Sequence, residues 1–477
     1  MEIRIGDRGD HGAGRYRLGR LGSGAVTAAN DKMRREGLPE IATRTFARYE
    51  ERLRAGEQGL VSESEIEPLA GVPALSGLPD GDLSAIERAV VLKLNGGLGT
   101  SMGMTRAKSL LEVKEGHTFL DVIVRQILHL RERHGARIPL LLMNSFATRD
   151  DTLAALERHP ELALADLPVD FLQGKVPKLL ADGYEPVSRP DDPELEWAPP
   201  GHGDVFASLA ATGLLTELLE RGYEYLFLSN SDNLGATLEP RILAWLAAEH
   251  LPFVSEVVDR TESDRKGGHL ARRRSDRGLL LRETAQVPDE DQAAFEDIAI
   301  HRYFNANNIW VSLRAVERAL DEGGGVLELP MIVNRKTVDP TDSSSPDVVQ
   351  LETAMGAAIG VFEGAGAVHV PRDRFVPVKK TSDLLVVRSD AYRLADDWTV
   401  RLVPQRDGHP PHVELDPDHF KLVAQFEERF PAGPPSLAGC ERLEVDGDVT
   451  FGRDVTVRGS VRVQGPRRIE DGAVLEG

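Results

Sequence analysis

A single cysteine, Cys440, stands in 477 residues. It excludes an internal disulfide, and no His/Cys spacing resembles a zinc site, so a reducing cytoplasm is the expected compartment. No uncharged apolar run approaches the roughly 18 residues that a membrane-spanning helix needs, and the opening Met1-Glu2-Ile3-Arg4-Ile5-Gly6 lacks the apolar stretch of a secretory leader. Positive charge is also short: 57 Lys+Arg face 77 Asp+Glu, a net charge of −20. So acidic a chain is ill suited to neutralising a nucleic-acid backbone or docking on an anionic membrane, and neither is an expected partner. What the chain does have is 41% apolar residues, enough to bury real cores, and a length that suggests about two to four domains.

Pattern divides the sequence into four stretches. Residues 1–23, rich in Gly and Arg without apolar periodicity, read as a mobile arm. Residues 24–88 form an N-terminal helical segment, in which Ile41, Phe46, Tyr49 and Leu53 recur at helical spacing between Pro39 and Gly56. Over 89–400, strand-like runs alternate with helices, the signature of an α/β fold on a mainly parallel sheet. The strands expected are Ala89–Asn95, Pro139–Ser145, Val169–Gln173, Tyr225–Ser229, Pro252–Asp259, Leu279–Val287 and Phe304–Ser312. A helix is expected over Thr118–His134, opened by Thr118/Asp121 as a capping box and closed by Gly135. Within 401–477, the apolar pairs Leu443/Val445, Val449/Phe451, Val455/Val457 and Val461/Val463 step by six. That spacing favours hexapeptide β-helix coils over a β-meander, and so few hexads must pack on the catalytic domain or on another subunit.

The densest signal is Val90-Val91-Leu92-Lys93-Leu94-Asn95-Gly96-Gly97-Leu98-Gly99-Thr100-Ser101-Met102-Gly103. An apolar strand runs straight into a glycine turn at its carboxyl end, where open α/β sheets bind ligands. Glycine lets the backbone approach a base or phosphate and present its N–H groups, so a nucleotide is the natural guest. Two common motifs fail. Counted from Gly97, the sixth position of a dinucleotide fingerprint is Met102, and Lys108-Ser109 follows Ala107 where a P-loop requires glycine.

This segment, followed by Lys108-Ser109 and Thr118-Phe119-Leu120-Asp121, resembles the eukaryotic-type UTP–glucose-1-phosphate uridylyltransferase family. The likeness continues in order through Met143-Asn144-Ser145-Phe146, Pro199-Pro200-Gly201-His202-Gly203-Asp204 and Ser229-Asn230-Ser231-Asp232-Asn233-Leu234-Gly235. It extends through Phe304-Asn305-Ala306-Asn307-Asn308-Ile309-Trp310, Val376-Pro377-Val378-Lys379 and Gly447-Asp448-Val449-Thr450-Phe451-Gly452. The sequence departs from the family pattern at Met104-Thr105-Arg106-Ala107, at Gln173-Gly174-Lys175 and at Lys380, where a threonine is usual. The resemblance implies a Rossmann-like (GT-A-like) nucleotidyltransferase domain with a mixed, mainly parallel sheet. It also implies an N-terminal helical segment and a C-terminal left-handed β-helix.

The reaction implied is attack of the glucose 1-phosphate oxygen on the α-phosphorus of UTP, releasing pyrophosphate, with Mg²⁺ as cofactor. Two polyanions must meet, so the enzyme's task is positioning and positive charge. The resemblance makes Lys108 and Lys379 the catalytic residues. It places Leu94, Asn95, Gly96, Gly97, Gln173, Gly201 and Asp232 at the nucleotide, and His202, Asn230, Gly267, Glu283 and Asn307 at the sugar phosphate. Asp232, after an apolar strand, suits Mg²⁺, which takes one or two carboxylates plus water and substrate phosphates; as a plain residue it would cap the following turn. Gln173 reads equally as a strand-end surface amide, and Glu283 equally as an outward-facing charge. Asp204 is expected to cap the helix starting near Val205, with support of a neighbouring site residue as the alternative, and the basic segment Arg265–Arg282 to be a charged surface loop. Two other readings remain: a pyrophosphorylase for N-acetylhexosamine or assorted sugar 1-phosphates, and a non-catalytic nucleotide-sugar binder. Intact Lys108, Asp232 and Lys379 weigh against the last. A homo-oligomer through the tail is a further expectation.

Overall fold

The computed structural model describes residues 27–477, and the arm over 1–23 lies outside the described residues. At the centre of the molecule is a ten-stranded mixed sheet. One side of it is a run of four parallel neighbours that ends at the sheet edge, Tyr225–Asn230, Ala89–Asn95, Leu140–Asn144 and Asp170–Leu172. Tyr303–Ser312 lies antiparallel to Tyr225–Asn230 and to Phe253–Asp259, and the latter pairs in parallel with Gly366–His369. Ala89–Asn95 is buried at six of its seven positions, only Leu94 being half-buried, because its two faces belong to two different hydrophobic cores. That double burial explains why it reads as a continuous apolar run rather than an alternating one.

Local signals act as their chemistry requires. Thr118 Oγ1 accepts from the Asp121 N–H at 3.1 Å while Asp121 Oδ2 accepts from the Thr118 N–H at 3.0 Å, and Gly135 ends Phe119–His134 in a left-handed turn at φ 60°. Glu40–Arg54 turns Ile41, Phe46, Tyr49 and Leu53 inward. The Tyr49 hydroxyl accepts from the Leu329 N–H at 3.0 Å, and Ile66–Pro68 joins the main sheet beside His269–Arg273. The N-terminal segment is therefore tied into the body that carries the main sheet through both helix and strand.

In the tail, parallel strands stack Leu443 beside Val461, Val449 beside Arg467 and Thr456 beside Val474, each 18 residues or three hexads further on. The stack packs in cis. Asp390 accepts from the Leu437 and Ala438 N–H groups at 2.7 and 2.9 Å, and the Phe420 carbonyl accepts from Thr381 Oγ1 at 2.6 Å.

Two regions differ from expectation. The strand expected over Leu279–Val287 ends at Arg282, because the Glu283 N–H turns to the Gln286 side chain at 3.0 Å and a 3₁₀ turn follows. The basic segment is not just a surface loop. It forms the hairpin His269–Arg273/Leu279–Arg282, and Arg282 is fully buried, paired with Glu63 at 2.6 Å and Asp291 at 3.1 Å. Beside it His269 and His301 stack with ring centroids 3.8 Å apart, and the His301 Nε2 is 2.9 Å from Glu63 Oε1. Burial lowers the pKa of both rings from the usual 6.5, His269 strongly, with the neighbouring arginines adding to the effect. A histidine that protonates in the unfolded but not the folded chain costs stability as pH falls through its unfolded value. Melting temperature is therefore expected to drop between about pH 7 and pH 5, and His269→Asn to shallow that slope in thermal denaturation. An unchanged slope would place the acid sensitivity elsewhere.

Candidate active site

The carboxyl ends of the parallel strands bring the glycine turn, Ser145, Gln173 and the Asn230–Asp232 corner to one edge of the sheet. The turn is closed by the Lys108 N–H donating to the Gly97 carbonyl at 3.0 Å. Gly99 sits at φ +68°, and a Cβ there would meet Met104 Sδ at 3.1 Å and Lys108 Cγ at 3.3 Å, so both its conformation and its surroundings call for glycine. Folded back in this way, Lys108 places its Nζ 2.7 Å from Asp232 Oδ2. Asp232 Oδ1 is buried and accepts no hydrogen bond from the protein.

On one side of the pair, Gln173 lies over Gly96: a Cβ on Gly96 would be 2.7 Å from Gln173 Oε1. The Gly96 carbonyl accepts from Ser145 Oγ at 2.9 Å. Leu94 is held in the strand, its carbonyl accepting from the Ser231 N–H at 3.1 Å. The Asn95 side chain points away from this edge. Its Nδ2 donates to Asn144 Oδ1 at 2.8 Å and Thr152 Oγ1 at 2.9 Å, inside a network continued by Asp170 and Arg149. A buried amide at a strand end satisfies its donors internally before it can offer them to a ligand.

On the other side, Gly201 at φ +80° lets the Pro200–Gly203 turn lie directly on the Thr353 backbone, whose carbonyl would be 2.3 Å from a Cβ. His202 Nδ1 accepts from the Met355 N–H at 3.0 Å, which makes Nε2 the protonated nitrogen. Burial, reinforced by the charge of Lys379, lowers the His202 pKa to about 4. Glu283 sits against Gly268, its Oε2 2.6 Å from where a Cβ would stand; burial raises its pKa and the Lys379 charge opposes that. Lys379, though exposed, is close enough for its charge to act on both His202 and Glu283. Gly267 packs under the Phe304 ring. Asn307, at φ 54°, donates from Nδ2 to Asn230 Oδ1 at 3.2 Å, and its own buried Oδ1 has no partner.

Asp204 does not cap its helix. Its Oδ2 instead accepts from the Gly174 N–H at 2.7 Å and from Ser208 Oγ at 2.5 Å. A cavity of about 400 Å³, lined in part by Gln126, Arg133, Thr237 and Arg241, shares no lining residue with this site.

A family model described as UTP–glucose-1-phosphate uridylyltransferase matches residues 44–458. The chain belongs to that family. It is 44% identical over 408 residues to a UTP–glucose-1-phosphate uridylyltransferase of Hordeum vulgare, covering 83% of each chain. Its structure matches a variant of UDP-glucose pyrophosphorylase from Leishmania major in complex with UDP-glucose, with a TM-score of 0.91 and 44% identity, over 96% of this chain and 99% of that one. A UDP-glucose phosphorylase from Trypanosoma brucei matches with a TM-score of 0.87 and 45% identity, over 95% and 100%.

Beneath the site this uridylyltransferase-family chain has a buried polar frame. Arg374 donates to Glu256 from Nε at 2.8 Å and Nη2 at 2.6 Å, and Glu256 also accepts from Trp310 Nε1 at 2.9 Å and Asn308 Nδ2 at 3.0 Å. Asn233 Oδ1 accepts from the Val376 N–H at 2.8 Å, and the Val378 N–H donates to the Asp232 carbonyl at 3.1 Å. The frame thereby ties the Lys379 segment to the Asp232 corner. Lys93, 2% exposed, closes the same corner from below by donating to Ser229 Oγ at 2.7 Å and the Ala236 carbonyl at 2.6 Å. Burial, then the Arg374 charge, lowers its pKa to about 7.

Sequence reading missed Lys93, Glu256 and Arg374. For Lys93 and Glu256 the available signal was a lone charge inside an apolar strand, which demands a partner; Arg374, in a 3₁₀ turn, carried no such signal. Glu256→Ala leaves a buried guanidinium unpaired, and urea denaturation is expected to show a loss of about 3–5 kcal/mol. A loss below about 1 kcal/mol would mean the frame is not structural.

Proposed function

We propose that this chain transfers the uridylyl group of UTP to glucose 1-phosphate, forming UDP-glucose and pyrophosphate. The observation that carries the reading is the Lys108–Asp232 pair at the end of the glycine turn, held by the same backbone that presents Lys379. Gly96, Gly97 and Gln173 receive the uracil edge, with Leu94 and Gly201 shaping the nucleotide side, while the inward Asn95 supports the turn. An oxygen of the sugar phosphate bonds to the α-phosphorus as the bond to the bridging α–β oxygen breaks, and the electron pair leaves with pyrophosphate. Lys108 stabilises the departing charge, and Lys379 bridges the two phosphates that would otherwise repel. The attacking oxygen is already ionised, so no general base is needed. A neutral His202 donates from Nε2–H to substrate oxygen rather than taking a proton.

Among the described residues no group of three or more His, Cys, Asp and Glu side chains converges as a metal site. The unpartnered Asp232 Oδ1 fits a Mg²⁺ that draws most of its ligands from phosphate and water. When bound, the ion supplies charge neutralisation at the triphosphate. Asn230, Asn307, Glu283 and Gly267 line the sugar side, where paired hydroxyls discriminate between sugars. The reading extends to the tail as a left-handed β-helix through which copies associate, and to the cytoplasm as its compartment.

A panel of sugar 1-phosphates with UTP and Mg²⁺ is expected to release pyrophosphate fastest with glucose 1-phosphate; turnover only with other sugars would overturn the reading. Lys379→Ala is expected to lower kcat by about 100-fold or more with little change in UTP affinity, measured by steady-state kinetics beside calorimetry. Wild-type kcat in that variant would remove Lys379 from the mechanism.

A further inference from the structure

The two halves of the site are built by separate loops. Gln173-Gly174 follows the edge strand of the parallel run and faces Gly96, whereas Pro200–Gly203 lies on Thr353 and carries His202. The shared element is Asp204. Its carboxylate accepts the Gly174 N–H at 2.7 Å from the first loop, while its own N–H donates to the Gly201 carbonyl at 3.3 Å within the second. Ser208, one turn along Val205–Ala211, donates to the same oxygen at 2.5 Å and fixes its direction from the helix.

Three observations mark this carboxylate as costly to keep. No Lys, Arg or His side chain pairs with it among the described residues, and the nearby Lys175 is turned away to Glu36 and Trp197. Burial raises its pKa, the sign of an anion that is not well solvated. It also stands beside a site meant for polyanions, where an added negative charge opposes binding. Glycine at 174 matches it in shape, since a Cβ there would press to 3.1 and 3.2 Å from the two carboxylate oxygens. A hydroxyl or amide could start the helix at lower cost, whereas an ionised acceptor holds a backbone N–H more firmly than a neutral one.

We propose that Asp204 is a positioning residue that locks the Gln173-Gly174 loop against the His202 loop, so that the uracil edge and the sugar phosphate are held in one register. The inference rests on the proposed uridylyl transfer. Without the lock, the loop keeps its strand-side tie, the Gln173 N–H on the Asn144 carbonyl at 2.8 Å, but loses the one at Gly174, so the Gln173 side chain is less firmly held over Gly96 and the loss falls on UTP binding and base selection more than on phosphoryl chemistry.

The test compares wild type with Asp204→Ala, Asp204→Asn and Gly174→Ala by steady-state kinetics, calorimetric UTP binding and melting temperature. Asp204→Ala is expected to raise KM and Kd for UTP about ten-fold and to narrow the preference for UTP over CTP, with kcat within about three-fold of wild type. Asp204→Asn keeps an acceptor oxygen for the Gly174 N–H but not its charge, and is expected to recover part of the affinity, falling between Ala and wild type. Gly174→Ala disturbs the contact from its other end and is expected to reproduce the rise in Kd while leaving residue 204 intact. An unchanged UTP affinity in Asp204→Ala, or an Asn variant no better than Ala, would overturn the proposal. A wild-type protein that binds UTP but makes no UDP-glucose would count against the reaction, not against the lock, because calorimetry reads the lock without turnover.

Discussion

The buried Glu256 carboxylate is the point on which the site's geometry hangs. An anion with zero exposure is tolerable only if its partners neutralise and hydrogen-bond it fully. Arg374, Trp310 and Asn308 do so, arriving from the segment before Lys379 and from the long antiparallel strand. Satisfying that one charge therefore fixes how the segment after Arg374 crosses the sheet. Asn233 carries the constraint onward to Val376, and Asp232 to Val378, so the backbone leading into Lys379 is fixed to the corner that bears the Lys108–Asp232 pair. From below, Lys93 anchors both ends of the turn that bears Asp232. Preorganised charge of this kind is worth most where developing negative charge must be met without reorganisation.

An acidic molecule that handles polyanions resolves its conflict by location. The net charge of −20 is spread over the surface, while the cations at the site are few and individually placed. Lys108 has a carboxylate partner, Lys379 is exposed, and His202 stays neutral because burial and the Lys379 charge both oppose its protonation. Global charge weighs against a nucleic-acid polymer as a partner but says nothing of a nucleotide, since binding one depends on local field.

Elements governed by short-range rules were legible in the sequence: the apolar strands, the Thr118/Asp121 capping box, the Gly135 stop and the six-residue steps of the tail. The glycine turn was legible as well, because Gly99 needs a left-handed backbone that few other residues accept. What escaped were side chains whose partners lie far along the chain. Asn95 is satisfied by Asn144 and Thr152, so it looks available until the fold brings those partners in, and Asp204 reads as a helix cap until the fold brings in the Gly174 N–H. The strand expected through Val287 stops at Arg282 because the Glu283 N–H donates to the Gln286 side-chain oxygen and turns the backbone, an event that apolar periodicity does not register.

The central claim is that a local positive field, made of Lys108, Lys379 and a divalent ion at Asp232, drives uridylyl transfer within an acidic chain. Single-turnover pyrophosphate release at saturating UTP and glucose 1-phosphate, followed while Mg²⁺ is titrated into wild type and Asp232→Asn, tests it most directly. The account predicts no release after chelation, a saturable rise with Mg²⁺ in wild type, and in Asp232→Asn a requirement for at least about ten-fold more Mg²⁺. Metal-independent release, or identical Mg²⁺ curves for the two proteins, would contradict it.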